Sequence, residues 1–247
     1  MVSVSQPKLP IINMDDLKPE SESWILRCHK VTHALEEYGC FMAVYEGVSK
    51  ELNREVFDLV KTLFELPTET KIKNTSDTPV FGYLGATHTR PLFESMGIEN
   101  VTSLDHVQHF ANLMWPSRNH HFSENIHSYA NLVSELENVV KKMVFQSYGV
   151  EKNYESYNKS SMTYLLRAWS NGRLRTVPHR VMMNGQENRY SIGLFTFKKG
   201  IIEIPEELVD EEHPSRFKPF NHLEFVDHMS KSPLYIDERA IKLFCGA

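Results

Sequence analysis

Strand patterns in the second half of the chain are confined to one short stretch. Three strands are predicted, at residues 162–167, 179–183 and 189–197. Asn171-Gly172 and Asn184-Gly185 lie between them, and Asn-Gly is a strong signal for a two-residue hairpin turn. Three strands without a second layer would leave one apolar face in water. This β segment is therefore too small to be an independent domain.

Apolar residues recur at helical spacing in three stretches that precede the β segment. The stripes are Trp24, Cys28, Val31, Leu35 and Tyr38; Leu52, Val56, Leu59 and Leu63; and Ile126, Val133, Leu136, Val140 and Met143. Gly39 is the expected left-handed cap after the first helix, while Ser49 caps the second and Pro67 ends it. Ser123 is expected to open the third helix, and Gly149 to end it.

Short strands and loops are predicted around these helices. Residues 9–13 form a short apolar strand that leads into a turn. Residues 40–45 are apolar throughout, which is typical of a strand buried on both faces. Residues 74–100 are rich in Thr, Pro and Gly and predict a loop. The tail from residue 205 is acidic and then mixed, and we expect it to be partly helical.

The charge and cysteine content exclude several functional classes. The 247 residues carry 27 basic and 32 acidic side chains, a net charge of -5, which does not provide a general surface for nucleic acid or anionic membrane. Three cysteines are too few for a disulfide scaffold and suit a reducing compartment. No apolar run approaches the ~20 residues that span a bilayer, and the N-terminus lacks a secretory pattern. These observations predict a soluble, cytoplasmic protein.

Motifs for several common chemistries do not occur in the sequence. Gly-rich phosphate loops, Cys-x-x-Cys pairs and the G-x-S-x-G elbow are all missing. His120 and His121 are adjacent, and neighbouring residues on a helix or strand do not share a face, so they are poor ligands for one metal ion.

The most informative stretch runs from Trp169-Ser-Asn-Gly-Arg through His179 to Arg189-Tyr-Ser191. Here the sequence resembles the 2-oxoglutarate/Fe(II)-dependent dioxygenases of plant specialised metabolism, in particular the branch that includes the glucosinolate alkenyl- and hydroxyalkyl-forming enzymes. Further matching stretches lie at residues 34–41, 66–71, 94–98, 163–167 and 206–214. The resemblance covers nearly the whole chain, and its specificity lies in the combination.

The resemblance implies an α+β fold in which a helical N-terminal region packs on a double-stranded β-helix, a jelly-roll core. In this chain that core is expected to be incomplete. The expected partition is an N-terminal helical/strand region at 1–115, a long linking helix at 116–160, a jelly-roll remnant at 161–200 and a C-terminal tail at 201–247.

The same resemblance implies Fe(II) and 2-oxoglutarate as cofactors. Iron in this family is held by a His-x-Asp pair and a distal histidine, and an Arg-x-Ser pair receives the far carboxylate of 2-oxoglutarate. By motif match, His179 takes the distal metal-ligand position, and Arg189 and Ser191 take the cosubstrate positions. Without the resemblance, His179 is an ordinary strand histidine and Arg189 a surface cation paired with Glu187 or Glu203. No catalytic residue is assigned.

The chain departs from the family pattern just before the Asn-Gly-Arg motif. Arg167 joins directly to Ala168, where relatives carry several further strands with the His-x-Asp pair; the missing part would be on the order of sixty residues. No His-x-Asp occurs anywhere in the chain. The single His-x-Glu is His222-Leu-Glu224, and residues i and i+2 of a helix point apart.

Two hypotheses of different classes follow. The first is an enzyme that oxidises a small organic metabolite with 2-oxoglutarate. The second is a non-catalytic truncated isoform, produced by an internal excision, that binds no iron and acts, if at all, by binding partners. The absence of His-x-Asp favours the second for this chain, because one imidazole cannot hold Fe(II) against water and buffer. Exposed strands in the incomplete core predict self-association.

Overall fold

The computed structural model describes residues 8–78, 81–88, 90–154, 164–177, 179, 181–183, 185–195, 200–231 and 240–246. These residues form two compact units. The first contains Met1–Glu46, Leu136–Val181 and Phe195–Ala247, and the second contains Gly47–Glu135 and Met182–Leu194. Over the described ranges the chain is mainly helical, with two small two-stranded sheets.

The first unit is organised around helix α1 (Glu22–Glu37) and the second half of helix α5 (His120–Ser147). Its core includes Trp24, Cys28, Val31, Met143, Phe145, Trp169, Leu174, Ile202, Phe225 and Ile241. Helix α1 begins where the Ser21 hydroxyl accepts a hydrogen bond from the Trp24 amide, and Gly39 follows it with φ +69°. The predicted stripe and cap of this helix are confirmed.

A parallel pair of short strands, β1 (Ile11–Asn13) and β2 (Met42–Val44), lies beside α1. Ile11 pairs with Met42, and Asn13 with Val44. All three residues of β2 are exposed, so the prediction that this strand is buried on both faces is wrong. The reason is that β2 has β1 as its one partner within the described ranges, and a two-stranded sheet has no layer over its outer face.

The second unit contains helices α2 (Lys50–Phe64), α3 (Thr68–Lys71) and α4 (Leu104–Met114), and the first half of α5. Its core comprises Val56, Val60, Leu63, Val107, Phe110, Ala111, Met114, Phe122 and Ile126. The predicted cap of α2 is confirmed, because the Leu52 amide donates to the Ser49 hydroxyl at 3.1 Å. Helix α4 was not predicted.

Helix α5 begins three residues before the predicted start at Ser123. Asn119 is its capping residue, because its Oδ1 accepts a hydrogen bond from the Phe122 amide at 2.9 Å. The predicted end is confirmed: α5 stops at Ser147, and Gly149 follows with φ +65°.

The strands predicted near residues 162–197 are not found in the described part of that stretch. Residues 164–169 form helix α6 (Tyr164–Trp169), and 179, 181–183 and 189–195 are irregular. A strand requires a neighbouring backbone, whereas Leu, Arg and Ala favour a helix when none is available. Asn171-Gly172 caps α6 instead of forming a hairpin turn. Residues 162–163, 178, 180, 184 and 196–197 lie outside the described residues.

The C-terminal tail is partly helical, as predicted. Strands β3 (Ile201–Ile202) and β4 (Phe220–Asn221) form an antiparallel pair, followed by helices α7 (His222–Lys231) and α8 (Ala240–Cys245). No helix in the ranges described above combines the length and apolar character needed to cross a membrane.

Candidate functional site

His179, the predicted iron ligand, lies in the first unit on irregular backbone. Its ring is exposed, and Nδ1 lies 3.1 Å from the carbonyl oxygen of Val177. A main-chain carbonyl on one ring nitrogen is a common way to orient a metal-binding imidazole. The other ring nitrogen, Nε2, is therefore the atom of His179 that could bind a metal ion.

Arg189 and Ser191, the predicted cosubstrate residues, lie in the second unit. Both are exposed and flank Tyr190, whose ring is partly buried against Phe64 with 6.4 Å between the centroids. Within the described ranges, no ion pair joins Arg189 to Glu187 or Glu203. Arg189 and Ser191 thus share one segment, while His179 belongs to the other compact unit.

The side chains present do not fit the family's iron site. Fe(II) in this family needs two imidazoles and one carboxylate, and motif matching supplies one imidazole, that of His179. Among the described residues, no group of three or more His, Cys, Asp or Glu side chains could hold a metal ion.

His222 and Glu224 do not replace the missing pair. His222 is 4% exposed at the start of α7, whereas Glu224 is exposed, so the two side chains lie on different faces of the helix. Burial lowers the pKa of His222 to about 4, which keeps its imidazole neutral at physiological pH. The prediction that these residues cannot ligate one ion agrees with this placement.

A buried lysine organises a polar cluster in the second unit. The Lys71 ammonium donates to the carbonyl oxygen of Phe64 and to Oε2 of Glu94, both at 2.9 Å, and the Tyr83 hydroxyl donates to Oε1 of Glu94 at 2.8 Å. Burial, followed by the bond to Glu94, raises the pKa of Tyr83. Burial alone would raise the pKa of Glu94, but the bonds from Lys71 and Tyr83 lower it.

Sequence reasoning assigned no role to this cluster. The available signal was that the matching stretches 66–71 and 94–98 each contain one member of the ion pair. The cluster fastens the loop that contains residues 83–95 to the end of α3.

A polar cavity of about 210 Å³ lies elsewhere in the second unit, at the start of α5. It is lined by Gln108, Asn112, Arg118, Asn119, His120 and Ser123. Pockets for small organic substrates are mostly apolar with a few polar groups. This cavity therefore does not have the character of a metabolite pocket.

Comparison with known proteins decides the family. A family model described as "non-haem dioxygenase in morphine synthesis N-terminal" matches residues 9–127, and that of the "2OG-Fe(II) oxygenase superfamily" matches residues 118–198. The "Probable 2-oxoglutarate-dependent dioxygenase AOP1.2" of Arabidopsis thaliana is 33% identical over 313 residues, which covers 97% of this chain and 96% of the relative. The chain belongs to the plant 2-oxoglutarate/Fe(II)-dependent dioxygenases. The resemblance stated from the motifs is confirmed.

The chain is also similar to one solved structure and to one further relative in sequence. The crystal structure of a dioxygenase for auxin oxidation in rice matches 97% of this chain and 100% of that one, with a TM-score of 0.73 and 20% identity, which shows the fold. The "Probable inactive 2-oxoglutarate-dependent dioxygenase AOP2" of Arabidopsis thaliana is 37% identical over 158 residues, 62% of this chain and 39% of the relative.

The alignment with AOP1.2 is longer than the chain itself. It runs over 313 residues, whereas the chain has 247, so at least 66 alignment positions (313 less 247) have no residue in this dioxygenase chain. Both ends of the relative are nonetheless nearly covered, because 96% of it is matched.

Proposed function

We propose that this chain is a non-catalytic member of the dioxygenase family that does not hold iron. Its complete relatives would oxidise small specialised metabolites at a site with three iron ligands. This chain keeps the N-terminal helical scaffold. Of the family's site residues it keeps His179 at a metal-ligand position, and Arg189 and Ser191 at the 2-oxoglutarate positions. The proposed location of the chain is the cytoplasm, in keeping with its low cysteine content.

The proposal rests on the side chains that are available to bind iron. One matched ligand, an exposed imidazole, remains of the three that bind Fe(II). A single imidazole binds first-row metals too weakly to compete with water and buffer. Arg189 and Ser191 likewise need a surrounding wall to fix their orientation, and both are exposed.

The length of the alignment supports an internal deletion. The 66 or more unmatched positions agree with the roughly sixty residues expected for the missing strands with their turns. We place the join between Arg167 and Ala168, which lies inside α6. The jelly-roll core is accordingly incomplete, and residues 161–200 are its remnant between the region of the long linking helix, residues 116–160, which contains α5, and the tail at 201–247.

Metal content and cosubstrate binding test the proposal. The purified chain, loaded with Fe(II) without oxygen and desalted, should retain no stoichiometric iron, and His179→Ala should give the same result. Calorimetric titration with 2-oxoglutarate should show no difference between the chain and Arg189→Ala. One tightly bound iron per chain that His179→Ala removes would contradict the proposal, as would micromolar 2-oxoglutarate binding that Arg189→Ala removes.

A second candidate function belongs to a longer product of the same gene. The near-complete match to AOP1.2 on both sides of the gap favours a catalytic dioxygenase once the missing segment is present. Genomic DNA around the codons of Arg167 and Ala168 tests this. An open reading frame that encodes His-x-Asp there would make this chain a truncated isoform of an active enzyme.

A further inference from the structure

One buried amide holds the acidic tail segment against the end of α6. Asn171 is 2% exposed and adopts the left-handed conformation, with φ +54°. Its Nδ2 donates to the carbonyl oxygens of Leu208, His213 and Pro214, at 3.1, 3.1 and 3.2 Å. Its Oδ1 accepts the hydrogen bond of the Arg216 amide at 2.9 Å. These four contacts attach residues 208–216 to the end of a helix, and we call them the Asn171 clasp.

The clasp is the main polar attachment of this segment. Residues 209–213 carry three acidic side chains and, apart from Val209, no large apolar group, so they have little apolar surface to bury. Arg173 adds a contact of the same kind, because its Nη1 donates to the Leu208 carbonyl oxygen at 2.9 Å. Leu208 and Phe217, each 3% exposed, anchor the two ends of the segment in the core. Attachment of residues 209–216 between them therefore depends on donors that face carbonyl oxygens.

Asn171 also stands in the sequence that is chemically least stable for an asparagine. In an Asn-Gly pair the glycine nitrogen can attack the side-chain carbonyl carbon. A C–N bond forms, ammonia leaves, and water then opens the resulting succinimide to aspartate or isoaspartate. The side-chain NH₂ is lost as ammonia and replaced by an oxygen from water, with no oxidant or reductant required.

The folded structure opposes this reaction at both reacting groups. The Gly172 amide donates to the Arg167 carbonyl at 2.7 Å, and the Asn171 amide donates to that of Ala168 at 3.0 Å, which together close the end of α6. The clasp immobilises the side-chain amide. Attack therefore requires the cap and the clasp to open together.

We propose that Asn171-Gly172 is a deamidation site whose modification irreversibly releases residues 209–216, between the buried side chains of Leu208 and Phe217. A carboxylate at this position has no hydrogen to donate, and it would face three carbonyl oxygens in a buried place. Its acidic residues are already exposed, and release would free them from the fixed loop in which the clasp holds them. The reaction requires the α6 cap and the clasp to be open, and the deamidated side chain cannot form the clasp again. Each opening therefore gives a chance of permanent release of the segment.

The first test measures the rate of the reaction. The full chain is incubated in mildly alkaline buffer with and without concentrated urea, and peptide mass spectrometry follows conversion of amide to acid. Asn184-Gly185 is the same dipeptide in the same chain and serves as the internal reference in urea. We expect Asn171 to react at the reference rate in urea and at least about tenfold more slowly in native buffer. Equal rates at Asn171 in both buffers would contradict protection by the fold.

The second test measures the consequence. Asn171→Asp reproduces the product, and Asn171→Gly keeps the left-handed backbone while removing the side-chain amide. Both variants should accelerate trypsin cleavage after Arg216 and hydrogen exchange of its amide at least about tenfold, while exchange in α1 stays unchanged. Deamidated wild-type molecules should match Asn171→Asp.

Protection of the Arg216 amide in either variant at the wild-type level would overturn the proposal. Acceleration throughout α1 would do the same, because it would mean that the clasp supports the whole unit and does not release one segment.

Discussion

The Lys71 ammonium and the Glu94 carboxylate lie 2.9 Å apart and join helix α3 to a loop that begins a dozen residues later. The lysine side chain is 5% exposed and that of the glutamate 34%. Removal of one partner of such a pair leaves the other without its charge partner at a buried or half-buried place. The pair therefore controls how firmly the loop is attached.

Lys71→Met should weaken the second unit. We expect a loss of about 1–3 kcal/mol in the free energy of opening, less than for a fully buried pair because water reaches Glu94. The measurement is hydrogen exchange of the Leu84 and Ser95 amides, which bond each other's carbonyls across the loop. Lys231→Met is the matched control, read from hydrogen exchange of the α7 amides, because its pair with Asp227 is exposed and should contribute under about 1 kcal/mol. Equal effects of the two substitutions would contradict this account.

Gly39→Ala should destabilise the first unit more than Gly149→Ala. Both glycines have positive φ, +69° and +65°, so both substitutions carry the left-handed penalty of about 1–2 kcal/mol. A Cβ on Gly39 would also lie 2.5 Å from Cγ2 of Val177 and 2.9 Å from the Arg175 carbonyl oxygen, whereas one on Gly149 meets open space. Urea unfolding of both variants measures the difference, and equal losses would mean that the Arg175–Val177 segment moves aside freely.

Local signals explain which elements could be predicted from the sequence. Gly39, Ser49 and Gly149 were assigned correctly because a cap depends on a few neighbouring residues. Helix α4 was missed although Val107, Phe110, Ala111 and Met114 have the i, i+3, i+4, i+7 spacing. This spacing predicts a helix from the sequence alone, although the pattern directly follows a loop rich in turn residues.

The β segment could not be predicted in the same way. A strand depends on a partner that lies far away in the sequence, and the partners expected here are missing from the chain. Leu166, Ala168 and Trp169 are instead buried side chains of α6. The same is true of the site residues. Motif matching identifies His179 and Arg189, but the geometry of their side chains depends on strands that the described residues do not form.

The stability of the first unit should fall as the pH falls below about 6.5. Burial lowers the pKa of His222 to about 4 from its ordinary 6.5, so the unfolded chain binds the proton more readily than the folded one. The contribution of His222 is full above pH 6.5, decreases towards pH 4 and levels off below it, with a total loss of at most about 3 kcal/mol. Urea midpoints across this range measure the loss.

His222→Gln should flatten this dependence, because the replacement does not titrate. His33→Gln, at an exposed position of α1, serves as the control and should leave the dependence as in the wild type. A slope that persists unchanged in His222→Gln would assign it to other groups.

Self-association should depend on the exposed apolar residues of the jelly-roll remnant. Val181, Met182 and Phe195 are 61%, 64% and 62% exposed, and large apolar side chains that are this exposed favour contact with another molecule. The triple substitution by lysine should shift the chain from oligomer to monomer and abolish binding of a hydrophobic dye, because charges prevent apolar contact and strand pairing. Leu92→Lys is the matched control, since Leu92 is 88% exposed but lies in the loop fastened by Lys71. Size-exclusion chromatography with light scattering distinguishes the outcomes: a wild-type monomer, or dispersal by Leu92→Lys alone, would show that the remnant is not the contact surface.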